Sequence, residues 1–311
     1  MANIIIRPDW YIPERDITSE SAYQSRRHFL KQMGFAGGVM AGATSGMAAT
    51  RRRKLYPAKR NASYNPGWPL SNEEVATTYN NFYEFTTQKT RVKTLTGAFK
   101  ISPWKVKVHG LCNKPQTFDF DELLKLVPLE ERVYRFRCVE AWAMTVPWTG
   151  FPLSRLLKLV EPKAEAKFVK FVSANRPAEM PGIAALKSYP WPYTEGLTMA
   201  EANHDLAFVA TGIFGKAMPK QNGAPIRTVI PWKYGYKSIK SIEEIEFTKT
   251  QPKTLWETLS AVEYPFESNV EPAVSHPRWS QATHRIVDTG NRVRTLKYNG
   301  YAKQVAHLYE Q

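Results

Sequence analysis

The chain is short of cysteine, which occurs only at Cys112 and Cys138 among 311 residues. Two cysteines do not form a disulfide framework, and they cannot supply the ligand set of a zinc or iron–sulfur site. No Cys-x-x-Cys-His sequence for haem attachment occurs either. A metal bound through cysteine in this protein must therefore bring most of its ligands with it.

Signatures of nucleotide and nucleic-acid binding are also missing. No Gly-x-Gly-x-x-Gly or Walker sequence follows a predicted strand, which disfavours a dinucleotide or nucleoside-triphosphate site. No zinc-finger spacing, RNA-binding motif or internal repeat occurs, so we expect no nucleic-acid partner. Apolar runs are too short or too weakly hydrophobic to cross a bilayer, so we expect no transmembrane segment.

The charge balance is strongly positive. The chain carries 43 basic and 28 acidic side chains, which gives a net charge of +15. Part of the excess lies in a basic run at 51–60, and the rest is scattered. A solvated basic surface and a surface that faces anionic lipid or an acidic partner are both consistent with this distribution.

The N-terminal region resembles a twin-arginine export signal. Arg26 and Arg27 precede Phe29, Leu30 and Lys31, and a short Gly- and Ala-rich stretch follows. The twin-arginine route exports folded proteins, which favours a cofactor inserted before export to the periplasm. We predict a signal peptide at 1–49, an extended basic arm at 50–70 and one oxidoreductase domain at 71–311.

The mature region mixes short strands with short helices and shows no βαβ periodicity. This pattern predicts an α+β fold, a single mixed domain with many short strands. The predicted strands cover 105–108, 133–139, 168–173, 205–211, 226–230 and 242–247. The predicted helices cover 71–80, 120–127 and 152–160.

Cys138 is the strongest candidate for chemistry. It ends a predicted strand in which Arg135 and Arg137 occupy the opposite face, and nearby cations favour a thiolate. A thiolate is a soft ligand, and molybdenum held by a pterin dithiolene needs only one protein sulfur. Three other interpretations stay open: a buried core thiol, a disulfide with Cys112, and two arginines that are merely solvated.

Four motifs in order carry a family resemblance. They are the stretch 79–85 (YNNFYEF), the Cys138 segment up to Leu157, the stretch 221–227 (QNGAPIR) and the stretch 231–240 (PWKYGYKSIK). With these motifs the chain resembles the sulfite-oxidase-fold molybdopterin oxidoreductases, and within them the periplasmic protein-methionine-sulfoxide reductase branch. The resemblance implies the sulfite-oxidase molybdopterin-binding fold.

The resemblance also implies a set of site residues. Cys138 would be the molybdenum ligand and the catalytic centre, and Ser173 stands where the family usually has Thr. Arg227 would hold the phosphate of the pterin. The full set implied for cofactor binding is Asn80, Tyr83, Glu84, Ser173, Asn222, Arg227, Ser238, Ile239 and Lys240.

The activity implied by the resemblance is reduction of methionine sulfoxide in periplasmic proteins. The electrons would come from a membrane-bound haem-containing donor subunit. Only about fifty residues follow Thr258, too few for a further β-sandwich of about 100 residues, so we expect a monomeric catalytic subunit. Trp232, Tyr234 and Tyr236 are candidates for the wall of a substrate pocket, or for core packing. Two alternatives stay open: oxidation of a small anion such as sulfite, and a metal-free binding module.

Overall fold

The structure is a computed structural model that describes residues 55–310. The predicted signal peptide at 1–49 and the start of the basic arm lie outside the described residues. Within 55–310 the fold consists of two sheets with short helices around them, and the predicted α+β class is confirmed. No helix in this range combines the length and apolar character needed to cross a membrane.

The strands are mostly short. They are β1 (Lys105–Gly110), β2 (Gln116–Asp119), β3 (Glu130–Cys138), β4 (Trp142–Pro152), β5 (Phe168–Ser173), β6 (Thr194–Thr198), β7 (Phe208–Ile213), β8 (Lys216–Ala217), β9 (Arg227–Val229), β10 (Ile242–Thr248), β11 (Thr283–Ile286) and β12 (Arg292–Arg294).

The helices are shorter than nine residues. The α-helices are α1 (Glu73–Thr78), α2 (Val92–Leu95), α3 (Phe120–Leu126), α4 (Leu153–Val160), α5 (Pro181–Ala185), α6 (Met199–Asn203), α7 (Leu255–Ser260) and α8 (Ala302–Val305). Single 3₁₀ turns lie at Lys220–Asn222, Gly235–Lys237, Lys297–Gly300 and Ala306–Leu308.

The two sheets have different connectivity. The five-stranded sheet has the order β2-β1-β10-β5-β6, and within it only β1 and β10 run parallel. The seven-stranded sheet has the order β12-β11-β4-β7-β8, with β3 paired to β4 and β9 paired to β7. One continuous apolar cluster contains residues of both sheets, such as Phe171 of β5 and Phe208 of β7.

Strand β4 organises the larger sheet, and the sequence pattern did not reveal it. All eleven of its residues are buried, and it has partners at both edges, with β3 and β7 paired along its length and β11 joined at its start. A strand buried on both faces shows no polar–apolar alternation, and Pro147 further weakens the pattern. Gly150 is required here, since a Cβ at that position would lie 1.9 Å from the carbonyl oxygen of Val209.

The last fifty residues return to the start of β4. Strand β11 pairs in parallel with β4, placing Arg285 opposite Trp142. Farther upstream, the Val270 amide donates to the carbonyl of Trp232. The Tyr234 amide in turn donates to the carbonyl of Ser268. The C-terminal segment therefore packs beside the β3–β4 connection, where Cys138 lies.

Candidate functional site

A cavity of about 280 Å³ lies beside the β3–β4 connection. Aromatic and polar side chains form most of its wall. Ten of the predicted site residues line it: Asn80, Tyr83, Glu84, Cys138, Asn222, Arg227, Tyr236, Ser238, Ile239 and Lys240. Segments that are far apart in sequence thus converge on one cavity.

Cys138 lies at the tip of a β-hairpin. It is the last residue of β3 and pairs with Trp142, the first residue of β4. The three connecting residues end in Ala141, whose φ is 57°, and the Ala141 amide donates to the Cys138 carbonyl over 3.2 Å. A left-handed third residue is typical of three-residue hairpin loops. This turn directs the Cys138 sulfur into the cavity wall.

A carboxylate accompanies the sulfur. One carboxylate oxygen of Glu140 lies 3.6 Å from Sγ of Cys138, and the Glu140 amide donates to Sγ over 3.4 Å. Asn81 donates to both residues, over 3.4 Å to the sulfur and 2.7 Å to the carboxylate. Lys89 pairs with the same carboxylate at 3.0 Å, and Trp142 donates to it over 3.4 Å. The charge beside the sulfur is therefore balanced locally.

The Cys138 thiol is less acidic than the sequence predicts. Burial, together with the Glu140 carboxylate, raises the pKa of Cys138 to about 12. The amide of Glu140 and the charges of Arg137 and Lys89 lower the pKa only in part. The prediction of a thiolate is wrong for the protein without a metal. A bound cation would supply the missing stabilisation, because a coordinated thiol loses its proton.

The two arginines before Cys138 are not solvated. Arg135 is buried and donates to the carbonyl of Gly300 over 3.1 Å. Arg137 is fully buried, with 0% of its surface exposed, and donates to the carbonyl of Cys138 and to Gln281. Their guanidinium groups bind neutral acceptors on the far side of the strand, which contradicts the interpretation of a solvated face.

The cysteines are separate thiols. Both are free, and Cys112 is buried at a bridge to Pro162. This contradicts a disulfide with Cys138. Cys138 is 7% exposed and belongs to the apolar cluster, but unlike Cys112 it also lines the cavity.

The other part of the cavity carries buried positive charge. Arg227, 2% exposed, donates to the carbonyls of Thr228, Asn222 and Ser238 over 3.2, 2.7 and 3.0 Å. None of these acceptors is ionised, and burial lowers the pKa of Arg227 to about 9. An unneutralised buried guanidinium is suited to a phosphate or another anion.

Lys240 and Glu84 complete this charged region. Burial, with the nearby Arg227 charge, lowers the pKa of Lys240 to about 7. Burial raises the pKa of Glu84 to about 7 against the opposing effect of Lys240, and Ser173 donates to Glu84 over 3.3 Å. Ser173 thus acts on the cavity through Glu84 and does not line it. Glu84 and Lys240 act on each other, so neither supplies a counter-charge for the Arg227 guanidinium.

Amide oxygens without a hydrogen-bond donor at the cavity indicate whether a polar ring system fits there. Within residues 55–310, Oδ1 of Asn80 and Oδ1 of Asn222 are buried and accept no hydrogen bond. Buried acceptors without donors cost about 1–3 kcal/mol each. A pterin offers ring and amino donors to such oxygens and carries a phosphate for Arg227. The residues present therefore fit the predicted cofactor.

The mouth of the cavity is aromatic. Tyr83 stacks beside Tyr189 at 6.4 Å and meets Trp256 edge to face at 5.2 Å. Tyr264 lies 5.0 Å from Trp256 on the same side. The C-terminal segment adds Arg278, Trp279 and Tyr264 to the lining. Aromatic rings make favourable contacts with sulfur and methyl groups.

The predicted substrate wall is only partly correct. Tyr236 lines the cavity, although its hydroxyl is engaged with Ser268. Trp232 is 0% exposed, bonds to the Tyr309 hydroxyl and does not line the cavity. Tyr234 is also buried outside the lining, with its ring 5.7 Å from the Arg137 guanidinium. For Trp232 and Tyr234, core packing was the better interpretation.

Sequence reasoning missed several residues of the site. Asn81 lies inside a motif that was recognised, and Glu140 lies two residues beyond Cys138, where a short hairpin loop returns it to the sulfur. Neither position carries a signal before the hairpin is known. The remaining missed residues come from distant segments, and they are Lys89, Trp142, Tyr189, Trp256, Tyr264, Arg278 and Trp279.

Comparisons with known proteins agree with this geometry. Residues 93–256 match the family described as an oxidoreductase molybdopterin-binding domain. The chain is 47% identical to the protein-methionine-sulfoxide reductase catalytic subunit of Xanthomonas axonopodis pv. citri over 96% of this chain and 95% of that protein. It is 48% identical to the subunit of the same name from Campylobacter jejuni, over 94% of this chain and 97% of the relative.

One solved structure is a weaker match. The sulfane dehydrogenase SoxCD of Paracoccus pantotrophus aligns with a TM-score of 0.43 and 19% identity, over 82% of this chain and 63% of that chain.

Proposed function

The chain belongs to the oxidoreductase molybdopterin-binding family and, within it, to the protein-methionine-sulfoxide reductase catalytic subunits, and from this premise we propose that it reduces methionine sulfoxide in proteins at a molybdenum centre. The observation that carries the proposal is the cavity itself. A single cysteine sulfur lies on its wall, and buried cations without ion partners lie elsewhere on the same wall.

The chain's own residues would hold the cofactor as follows. Sγ of Cys138 would be the protein ligand of the metal. The amide oxygens of Asn80 and Asn222 would accept hydrogen bonds from the pterin. Arg227 and Lys240 would bind the phosphate, with guanidinium and ammonium groups that lack an ionised partner of full charge. When bound, the cofactor supplies the oxygen-atom transfer.

The surroundings of Cys138 favour a neutral substrate. Glu140 places a carboxylate 3.6 Å from the sulfur, and Lys89 pairs with that carboxylate. Hydrogen bonds from Asn81 and Lys89 outweigh burial and hold the pKa of Glu140 below its usual value, so it is ionised at neutral pH. Because Lys89 is already paired with Glu140, this wall offers sulfite no free cation, whereas a sulfoxide carries no net charge and needs none. The geometry thus favours sulfoxide reduction over oxidation of a small anion.

The aromatic mouth suits a methionine sulfoxide side chain. Tyr83, Trp256 and Tyr264 present ring faces and edges for its methyl and methylene groups. The guanidinium of Arg278 lies at the same mouth, more than half exposed, and pairs with Glu263 at 2.6 Å. In this arrangement an oxidised side chain on a protein surface would enter between rings, with its oxygen directed inward.

We also propose the cellular setting that the N-terminal pattern predicts. The twin-arginine sequence supports export of the folded protein to the periplasm. A catalytic subunit without haem-attachment or iron–sulfur spacing requires an external electron donor, for which we propose a membrane-bound haem-containing subunit. The catalytic subunit itself would be a monomer.

The test is one preparation assayed in two directions. Protein expressed in a host that makes molybdopterin is given a chemically oxidised protein with a reduced electron-donor dye, and separately sulfite with an electron-acceptor dye. We expect restoration of methionine, detected by mass spectrometry, and little sulfite oxidation. Faster sulfite oxidation would contradict the proposal in favour of the anion-oxidising alternative. A metal-free preparation that binds oxidised protein without turnover would support the binding-module alternative.

A further inference from the structure

Arg137 is a fully buried cation directly before the metal ligand of the proposed function. Its Nη1 donates to the carbonyl of Cys138, and its Nη2 donates to Gln281 over 2.7 Å and to Thr295 over 3.4 Å. Nε has no partner among the described residues. All three acceptors are neutral, so the guanidinium forms no ion pair within residues 55–310.

The neighbouring groups do not offset this charge. Glu140, the carboxylate nearest to the sulfur, is already paired with Lys89 at 3.0 Å. His284 is buried close by, and burial together with the charges of Arg137 and Arg135 lowers its pKa to about 4. The imidazole is therefore neutral at physiological pH. An unneutralised positive charge thus lies immediately behind Cys138.

The C-terminal segment fixes the position of this charge. Gln281 accepts from Arg137 and donates to the carbonyl of Val139 over 2.8 Å. Trp279 donates to the same carbonyl, also over 2.8 Å. The carbonyls of residues 138 and 139 are both held from one side, so the hairpin tip cannot move away from the guanidinium without losing several hydrogen bonds.

We propose that Arg137 is a positioning residue that raises the reduction potential of the metal bound by Cys138. Reduction adds negative charge to the centre, and a fixed cation in a region of low dielectric constant stabilises the reduced form relative to the oxidised form. The inference rests on the proposed molybdenum centre. It assigns to the protein a means of making that centre easier to reduce by its electron donor.

The test is a redox titration of the loaded protein, followed by electron paramagnetic resonance of the one-electron-reduced metal. We expect Arg137→Gln to lower the midpoint potential and Arg137→Lys, which keeps the charge, to stay close to the unsubstituted protein. Arg135→Gln is the matched control, because it removes a buried arginine from the same strand face, two residues farther away. The potential of Arg135→Gln should fall by less than that of Arg137→Gln, because the charge lies farther from the sulfur.

A second variant tests the charge without removing Arg137. Gln281→Glu would place a carboxylate on the guanidinium, and we expect it to lower the potential as Arg137→Gln does. If Arg137→Gln does not retain metal, this variant decides. Unchanged potential in Gln281→Glu, or equal lowering in Arg137→Lys and Arg137→Gln, would overturn the inference. An unsubstituted protein that contains no molybdenum would instead overturn the proposed function on which the inference rests.

Discussion

The two charged regions of the cavity differ in whether their charges are paired within the protein. On the cavity wall beside Cys138, the Glu140 carboxylate is paired with Lys89 and bonded to Asn81, so the charges that face the cavity are balanced, whereas Arg137 lies behind the strand and outside the lining. Around Arg227, the guanidinium donates to neutral carbonyls, and the Glu84 carboxylate, which is hard to ionise, interacts with Lys240 instead. The cavity wall beside Cys138 therefore needs no charged ligand, whereas the wall around Arg227 does.

This difference indicates which region binds the substrate and which binds the cofactor. A balanced region tolerates a neutral substrate that must enter and leave. A region with excess buried cation stabilises an anion that stays, because the ligand restores the neutrality that the fold lacks. The cavity therefore combines a permanent anchor with an exchangeable substrate position.

Arg227→Gln should have the largest effect. Truncating one partner of a buried, hydrogen-bonded charge pair costs about 2–5 kcal/mol, which corresponds to a loss of affinity of about 30-fold to 4,000-fold. We expect this loss in cofactor retention, measured as the rate at which pterin leaves the purified protein. Arg155→Gln is the control, because Arg155 is exposed on α4 and the change in net charge is the same. Equal rates of pterin loss from the two variants would contradict the role of Arg227 in holding the cofactor.

Glu84→Gln should change the pH dependence of stability in cofactor-free protein. The folded pKa of Glu84, about 7, lies above its ordinary value of 4.5. The folded protein thus binds more protons than the unfolded chain between these values, and the contribution of Glu84 to stability falls as the pH rises from about 4.5 to 7. Relative to the unsubstituted protein, the free energy of unfolding of Glu84→Gln should increase across this range. Denaturant titration at pH 5 and pH 7.5 measures this, and a difference that does not change with pH contradicts it.

Glu140→Gln should make the Cys138 region resemble the Arg227 region. Lys89 would lose its ionised partner at 3.0 Å, so the region would acquire net positive charge. We expect inhibition by sulfate or phosphate to strengthen by about tenfold, since a unit charge a few ångströms away contributes at least about 1.4 kcal/mol at intermediate dielectric. Inhibition constants against sulfoxide reduction test this. An unchanged constant would mean that Glu140 does not control which charges enter.

Ala141→Gly should have the smallest effect. Ala141 has a φ of 57°, in the left-handed region, whereas the turn beside Lys240 uses Gly223 at a φ of 102°. Relief of this backbone strain should stabilise the cofactor-free protein by about 0.5–1 kcal/mol. Urea denaturation measures the change, with Ala185→Gly in α5 as a control that should destabilise the protein. A loss of stability in Ala141→Gly would contradict the structural account of the hairpin tip.

The sequence predicted individual strands better than it predicted which strands pair with them or cover them. The strand at 168–173 was predicted with the bounds observed for β5, because its burial alternates strictly. Strand β4 was missed because it is buried on both faces. The C-terminal strands were missed as well, since β11 and β12 have only four and three residues. Hydrophobic periodicity and turn residues indicate the structure of one segment, but they do not indicate which other strands will pack against it.

The same limit applies to the site. The resemblance implied a set of residues for cofactor binding, and ten of the predicted site positions, Tyr236 included, line the cavity. It did not supply the acidity of Cys138, because burial and Glu140 outweigh the adjacent arginines. It also did not supply the aromatic mouth, which forms only when Tyr83, Trp256 and Tyr264 meet across the fold. The acidity of Cys138 and the aromatic mouth both depend on tertiary contacts.

The most direct test of the account is the metal content of the purified protein with and without the Cys138 sulfur. Protein from a host that makes molybdopterin should contain about one molybdenum per chain, Cys112→Ala should match it, and Cys138→Ala should lose the metal together with sulfoxide reduction. If Cys138→Ala kept both its molybdenum and its activity, the sulfur at the hairpin tip would not be the anchor, and the account would be wrong.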